Sequence, residues 1–159
     1  MKEYTIAELA YFAGIIDGEG SVTIGKSGKR RSAQGFHYYR TIIEINNTDK
    51  RMIDWLTNHI GGRQLEFTPA QTSRNSRLQC YRWVANRDVI EYVLPLALPY
   101  IVAKVEQCEL VIKMRQTFNY NYHPKKGQQG IPVLDEELMK LRDKLYEDLK
   151  LLHCRNYLK

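Results

Sequence analysis

Phe12-Ala13-Gly14-Ile15-Ile16-Asp17-Gly18-Glu19-Gly20 sets two carboxylates and three glycines at the end of an otherwise well-formed apolar helix. Thr5 and Glu8 have the spacing of a capping box, and Ile6, Leu9, Ala10, Ala13 and Ile16 follow at helical steps, so a helix is predicted over about 6–18. Acids at a helix C-terminus oppose its dipole, and each mid-helix glycine costs about 1 kcal/mol. A local conflict of this kind marks a site where function outweighs propensity. Gly14 and Gly18 lie four apart with Ala13 beside them, forming a face without side-chain bulk against which a second helix can pack backbone to backbone. A glycine-rich tight turn is the plain alternative.

The other side chains that could do chemistry are scattered. Cys80, Cys108 and Cys154 form no C-x-x-C pair and are odd in number, so a disulfide framework is excluded and a reducing compartment fits. His37, His59, His123 and His153 share no metal-ligand spacing.

The elements that must position the 12–20 stretch come from a chain of 159 residues, about one domain, with 43% hydrophobic and 11% aromatic content. That composition excludes a disordered tail, a collagen and a disulfide mini-scaffold. No run is long and apolar enough for a membrane span, and the acidic N-terminus does not resemble a secretory or transit peptide. The expected location is archaeal or bacterial cytoplasm or an organelle interior, without secretion.

The formal charge of +6 is uneven: residues 1–21 carry −3, residues 22–88 carry +7 and residues 89–159 carry +2. The basic middle is also the strand-like part, which points to a polyanionic partner. Val22 and Ile24 alternate with Thr23, Gly25 and Ser27, and Tyr39, Thr41, Ile43 and Ile45 alternate with Tyr38, Arg40, Ile42 and Glu44. A long hairpin over about 20–47 is predicted. Thr48 or Asp49 caps a helix that stops at Gly61-Gly62, and a second hairpin spans about 63–85 around a polar tip. Asp88 caps a short helix broken near Pro95, and Pro99 opens another that reaches Phe118, giving C-terminal helices over about 100–118 and 135–153. In the last of these Leu138, Leu141, Leu145, Leu149 and Leu152 recur at helical steps. The fold class is α+β, with a four-stranded antiparallel sheet whose helices cover one face and leave the other for a partner.

Residues 12–20 resemble the LAGLIDADG motif of the LAGLIDADG homing endonuclease family, position by position, with Glu19 where the family usually has Asp. The element order also resembles the family's αββαββα core over essentially the whole chain, as one domain. A single copy of the motif implies a homodimer in which two motif helices pack side by side, with Ala13, Gly14, Asp17 and Gly18 at the interface. The resemblance implies a sequence-specific double-strand DNA endonuclease, encoded in an intron, that cuts a long pseudo-palindromic site by metal-dependent phosphodiester hydrolysis. Glu19 and the backbone carbonyl of Gly18 would hold Mg²⁺, with Mn²⁺ as a substitute.

By position, Asn47 stands for the family's water-ordering residue at the end of the second strand. Arg51, with Lys50 as its neighbour and alternative, stands for a basic residue at the active site, and Lys104 for the lysine near the start of the helix after the second hairpin. DNA recognition would come from the exposed sheet face: Thr23, Ser27, Lys29, Tyr38, Arg40 and Glu44 in the first hairpin, Gln64, Glu66, Thr68 and Arg82 in the second, and Arg74 and Arg77 at its tip on phosphates. Arg40 is the best guanine reader among them. Two rival functions on the same scaffold are an RNA maturase that binds intron RNA and a non-catalytic DNA-binding regulator; retention of Glu19 counts against both.

Overall fold

The computed structural model describes residues 2–27, 37–67, 79–118 and 136–155. Helix α1 spans Ile6–Glu19 and opens on the predicted capping box: Thr5 Oγ1 accepts from Glu8 N–H at 3.2 Å, and the Glu8 carboxylate accepts from Thr5 N–H at 2.9 Å. That backbone bond and the nearby His59 and Thr5 side chains hold the Glu8 carboxyl down at about 2. Phe12, Ala13 and Ile16 of α1 are fully buried. Strand β1, Gly20–Ser27, follows with no linker, and Gly20 N–H donates back to Ile16 O. A Cβ at Gly20 would stand 2.6 Å from that oxygen, so the abrupt helix-to-strand turn needs glycine there.

Strand β2, Tyr38–Asn47, pairs antiparallel with β1, in the register Gly20 to Ile45 through Ser27 to Tyr38. Asp49 caps helix α2, Lys50–Trp55, which continues as a π-helical turn over Leu56–Ile60. Gly61 and Gly62, at φ +100° and +90°, then reverse the chain into β3, Arg63–Phe67. Strand β4, Cys80–Val84, lies between β2 and β3, so the sheet order is β1-β2-β4-β3. Val22, Ile24, Tyr39, Ile43, Ile45 and Trp83 face the helices and are buried. Trp83, wholly enclosed, stands edge-on to Phe12 with ring centroids 5.8 Å apart and donates its indole N–H to Gly61 O at 2.6 Å.

Between Asp88 and Phe118 the helices divide differently from the sequence expectation. Asp88 is already helical and Asn86 caps instead, its Oδ1 accepting from Val89 N–H at 3.0 Å. Pro95 does not break the chain, because helical backbone runs on through a π-helical turn at Val89–Val93 into α3, Leu94–Ala97. The helix expected to run from about residue 100 begins instead with α4 at Val105–Gln116, after a 3-10 turn at Leu98–Tyr100 and a break at 101–104. The cause is tertiary: the Asp17 carboxylate reaches across from α1 and accepts the N–H groups of Val102, Ala103 and Lys104 at 2.7, 3.1 and 3.1 Å.

Helix α5, Glu136–Arg155, lies against α4 and β1. Leu145 and Leu149 are buried, but Leu141 points outward; Met139 and Arg142 take inward positions. Arg142 donates to Thr117 Oγ1 at 2.9 Å and to Thr117 O at 2.6 Å, with its guanidinium 4.8 Å from the Phe118 ring centre. The next residue, Asp143, takes both the Lys26 ammonium and the Tyr39 hydroxyl. Burial first, and then this bond to Asp143, push the Tyr39 phenol up to about 12. No described helix is long and apolar enough to cross a membrane.

Candidate functional site

The site grows from the point where α1 becomes β1. Asp17 is turned sideways into its cap on the 102–104 turn, whereas Gly18 and Glu19 are exposed. Lys104, held by that same cap, sends its ammonium back to the end of α1 and donates to Ile16 O at 2.9 Å and Gly20 O at 2.6 Å. A cation on the last carbonyls offsets the dipole conflict visible in the sequence. Lys104 and Glu19 are thereby brought to one end of one helix, from positions 85 residues apart in the chain.

Asn47 and the bases at 50 and 51 stand where β2 runs into α2. Asn47 lies across from Tyr81 in β4, in the alternating row of buried Ile43 and Ile45, so against expectation its side chain is on the helix side, where its Oδ1 accepts from Asp49 N–H at 2.7 Å and starts α2. Lys50 pairs with Asp54 and sits 5.9 Å from the Tyr81 ring centre. Arg51 is 91% exposed, forked onto Asp49. The Arg51 guanidinium, and then its backbone N–H, hold the Asp49 carboxyl down at about 2. Asn46 had no role in the sequence reading. It projects from the uncovered face, accepts from Arg82 Nε at 2.9 Å, and stands level with residue 19 if the β1–β2 register is continued one step beyond Gly20.

Among the described residues no three His, Cys, Asp or Glu side chains converge as a metal cage. A single exposed carboxylate at Glu19 with an adjacent backbone carbonyl fits a hard cation such as Mg²⁺, which keeps most of its waters and takes the rest of its ligands from phosphate oxygens.

The uncovered face of the sheet carries Thr23, Ser27, Tyr38, Arg40, Glu44 and Arg82, as their alternation with the buried row requires. Glu44 and Arg82 are cross-strand neighbours 3.9 Å apart. Gln64 and Glu66 are not on this face. Gln64 pairs with buried Trp83 and Glu66 with Tyr81, which puts both on the helix side, while Arg63 and Leu65 hold the outward positions. The β3 sequence alone favours the opposite phase, since it would turn Leu65 inward; cross-strand pairing with Trp83 sets the phase here, and a one-residue slip exchanges the faces. Trp83, the bulkiest core candidate in the second hairpin, was the signal available for it. Lys29, Thr68, Arg74 and Arg77 lie outside the described residues.

The outer side of α1 also differs from expectation. Ala13 is fully buried in the chain's own core, and the Asp17 carboxylate is committed to the 102–104 turn. Ala7, Ala10, Gly14 and Gly18 are the small residues that are exposed, at steps of three and four. Among the described residues a Cβ on Gly14 or Gly18 would meet nothing within 4 Å, so no contact among them accounts for either glycine.

No protein-family model matches the chain, and a comparison with curated proteins finds no match. Solved structures do match. The homing endonuclease I-CvuI in complex with its target superposes with a TM-score of 0.65 at 15% identity, over 92% of this chain and 82% of that one. The archaeal intron-encoded homing endonuclease I-Vdi141I, complexed with DNA, gives 0.59 at 16% identity, over 87% and 96%. The I-LtrWI LAGLIDADG homing endonuclease bound to target DNA gives 0.62 at 17% identity, over 92% of this chain but 46% of that one. Helix α1, with its exposed Gly18 and Glu19, and the half-covered four-stranded sheet are thus parts of one known architecture: the chain has the fold of the LAGLIDADG homing endonucleases.

Proposed function

We propose that this protein is a sequence-specific, divalent-metal-dependent DNA endonuclease that works as a homodimer on a long pseudo-palindromic site, in the manner of an intron-encoded homing enzyme. The observation that carries the proposal is the placing of an exposed carboxylate, Glu19, at the seam between a bare helix face and an uncovered sheet face. Two glycines that cost helix stability, and whose Cβ positions would touch nothing among the described residues, have a reason if a second α1 packs on them. Length supports the pairing: the chain spans most of I-CvuI and I-Vdi141I but about half of I-LtrWI, which has room for two such units in one polypeptide. The DNA in those three complexes, and the basic middle of this chain, support duplex DNA as the partner.

In this reading Glu19 and the Gly18 carbonyl hold Mg²⁺, with Mn²⁺ as a substitute. The ion supplies charge stabilisation to the attacking and leaving oxygens of an in-line displacement. Lys104 has three N–H donors and spends two on Ile16 O and Gly20 O, so the third is available to a phosphate oxygen. Asn46, on the uncovered face, takes the water-ordering role expected of Asn47, whose side chain is on the helix side, and exposed Arg51 meets the phosphate backbone. Thr23, Ser27, Tyr38, Arg40, Glu44 and Arg82 lie along the major groove.

The test is cleavage of a supercoiled plasmid library carrying candidate insertion sites, with Mg²⁺, with Ca²⁺ and with Glu19→Gln. Metal-dependent linearisation that disappears in Glu19→Gln supports the endonuclease. Specific duplex binding without cutting under any metal assigns the scaffold to a regulator, and binding of intron RNA alone assigns it to a maturase.

A further inference from the structure

Gly25 sits in the middle of the DNA-facing row of β1, directly across from Arg40. Glycine inside a strand weakens it, because it loses more freedom on folding and packs no side chain. The backbone does not require it: the positive-φ glycines of the described residues are Gly61 and Gly62, not Gly25. What a Cβ would meet is Arg40. Built on this backbone it would stand 2.8 Å from Arg40 Nε, 2.9 Å from Arg40 Cγ and 3.3 Å from Ile42 Cδ1. The Arg40 side chain therefore lies flat across the strand, its stem and first guanidinium nitrogen resting on bare backbone.

We infer that Gly25 is a specificity-determining positioning residue: its missing side chain is the seat that holds Arg40 flat, so that the guanidinium fork is aimed at the O6 and N7 acceptors of one guanine in each half-site. The inference rests on the proposed DNA-binding reading and adds to it a residue that touches no base. A bidentate contact depends on the orientation of the fork, whereas a phosphate contact needs only a charge within reach. Seating a flexible arginine on a flat support fixes that orientation before binding and reduces the entropy lost on contact. The overlap falls on a movable side chain, not on backbone. Alanine at position 25 thus dislodges Arg40 and leaves the strand intact.

The test is selection from a randomised duplex library by the full-length protein, its Gly25→Ala, Gly25→Ser and Arg40→Ala variants, and the Gly25→Ala/Arg40→Ala double variant, each checked by thermal melting. The expected result is a pair of symmetry-related guanine positions in the wild-type motif, preferred on the order of ten- to a hundredfold. Those positions flatten in Arg40→Ala and also in Gly25→Ala, with the melting temperature unchanged, and the double variant matches Arg40→Ala. An unaltered guanine preference in both Gly25 variants overturns the inference. So does uniform weakening on all sequences with a shallower salt dependence, which would assign Arg40 to a phosphate. A wild-type protein that enriches no sequence overturns the DNA-recognition reading itself, an outcome separable from failure of the Gly25 variants alone.

Discussion

Asp17 and Lys104 hold each other's elements in place: the Asp17 carboxylate accepts the Lys104 N–H at 3.1 Å, and the Lys104 ammonium donates to the carbonyls on either side, Ile16 O and Gly20 O. Asp17→Ala leaves three N–H groups of the 102–104 turn without their acceptor and frees Lys104 to swing away from the end of α1. The expected loss is about 2 kcal/mol, on the scale of a lost multiple cap, read from urea unfolding. Cleavage should fall in parallel. Lys104→Met, by contrast, should lower cleavage far more than stability, and equal losses from both variants would assign Lys104 a purely structural role.

The two small residues at 13 and 14 should respond in opposite ways. Gly14→Leu projects into open space and is expected to leave folding intact while shifting sedimentation from dimer toward monomer. Ala13→Leu projects into a filled core and is expected to cost about 1–3 kcal/mol by overpacking. An unchanged dimer in Gly14→Leu would remove the outer face of α1 as the interface.

Acid should unfold the protein through its helix caps. The folded Glu8 carboxyl is held at about 2 against 4.5 for the free group, and Asp49 at about 2 against 3.8. Both are depressed, so their stabilisation is fully present above the unfolded values and is lost as pH falls from about 4.5 to about 2. The slope of stability against pH in that window should flatten in Glu8→Gln and in Asp49→Asn, measured by urea unfolding at fixed pH. A wild-type slope in both variants would show that other carboxylates govern the acid limb.

Removing the Arg142 guanidinium takes from Thr117 the donor to its Oγ1 and O and from Phe118 the nearer of two cations, the other being Arg115, at a site where Arg142 itself is only 8% exposed. Arg142→Met keeps much of the apolar stem and should cost about 1–3 kcal/mol. Amide exchange in α5 should rise more than in α1, because Arg142 is one of the contacts by which α5 is docked. Equal acceleration in both helices would indicate that α5 does not open separately.

Much of this protein was legible in its residues because the signals are local. The capping box at Thr5 and Glu8, the period-two alternation from Val22 to Ile45, and the Gly61-Gly62 reversal act within a few residues of themselves, and each structural element appeared where its pattern stood. The α1 motif was legible for a related reason: Gly14 and Gly18 defy helix propensity and Asp17 opposes the helix dipole, and such a conflict is visible without a fold. Decisions that depend on partners distant in the chain were not legible. Ala13 belongs to the core because of the angle at which α1 meets the sheet, Gln64 and Glu66 face the helices because β3 pairs with Trp83, and the helix expected from residue 100 is broken because Asp17 caps the turn at 102–104. Periodicity gives a strand two faces and a helix several. Which of them is buried is decided only when another part of the chain packs against it.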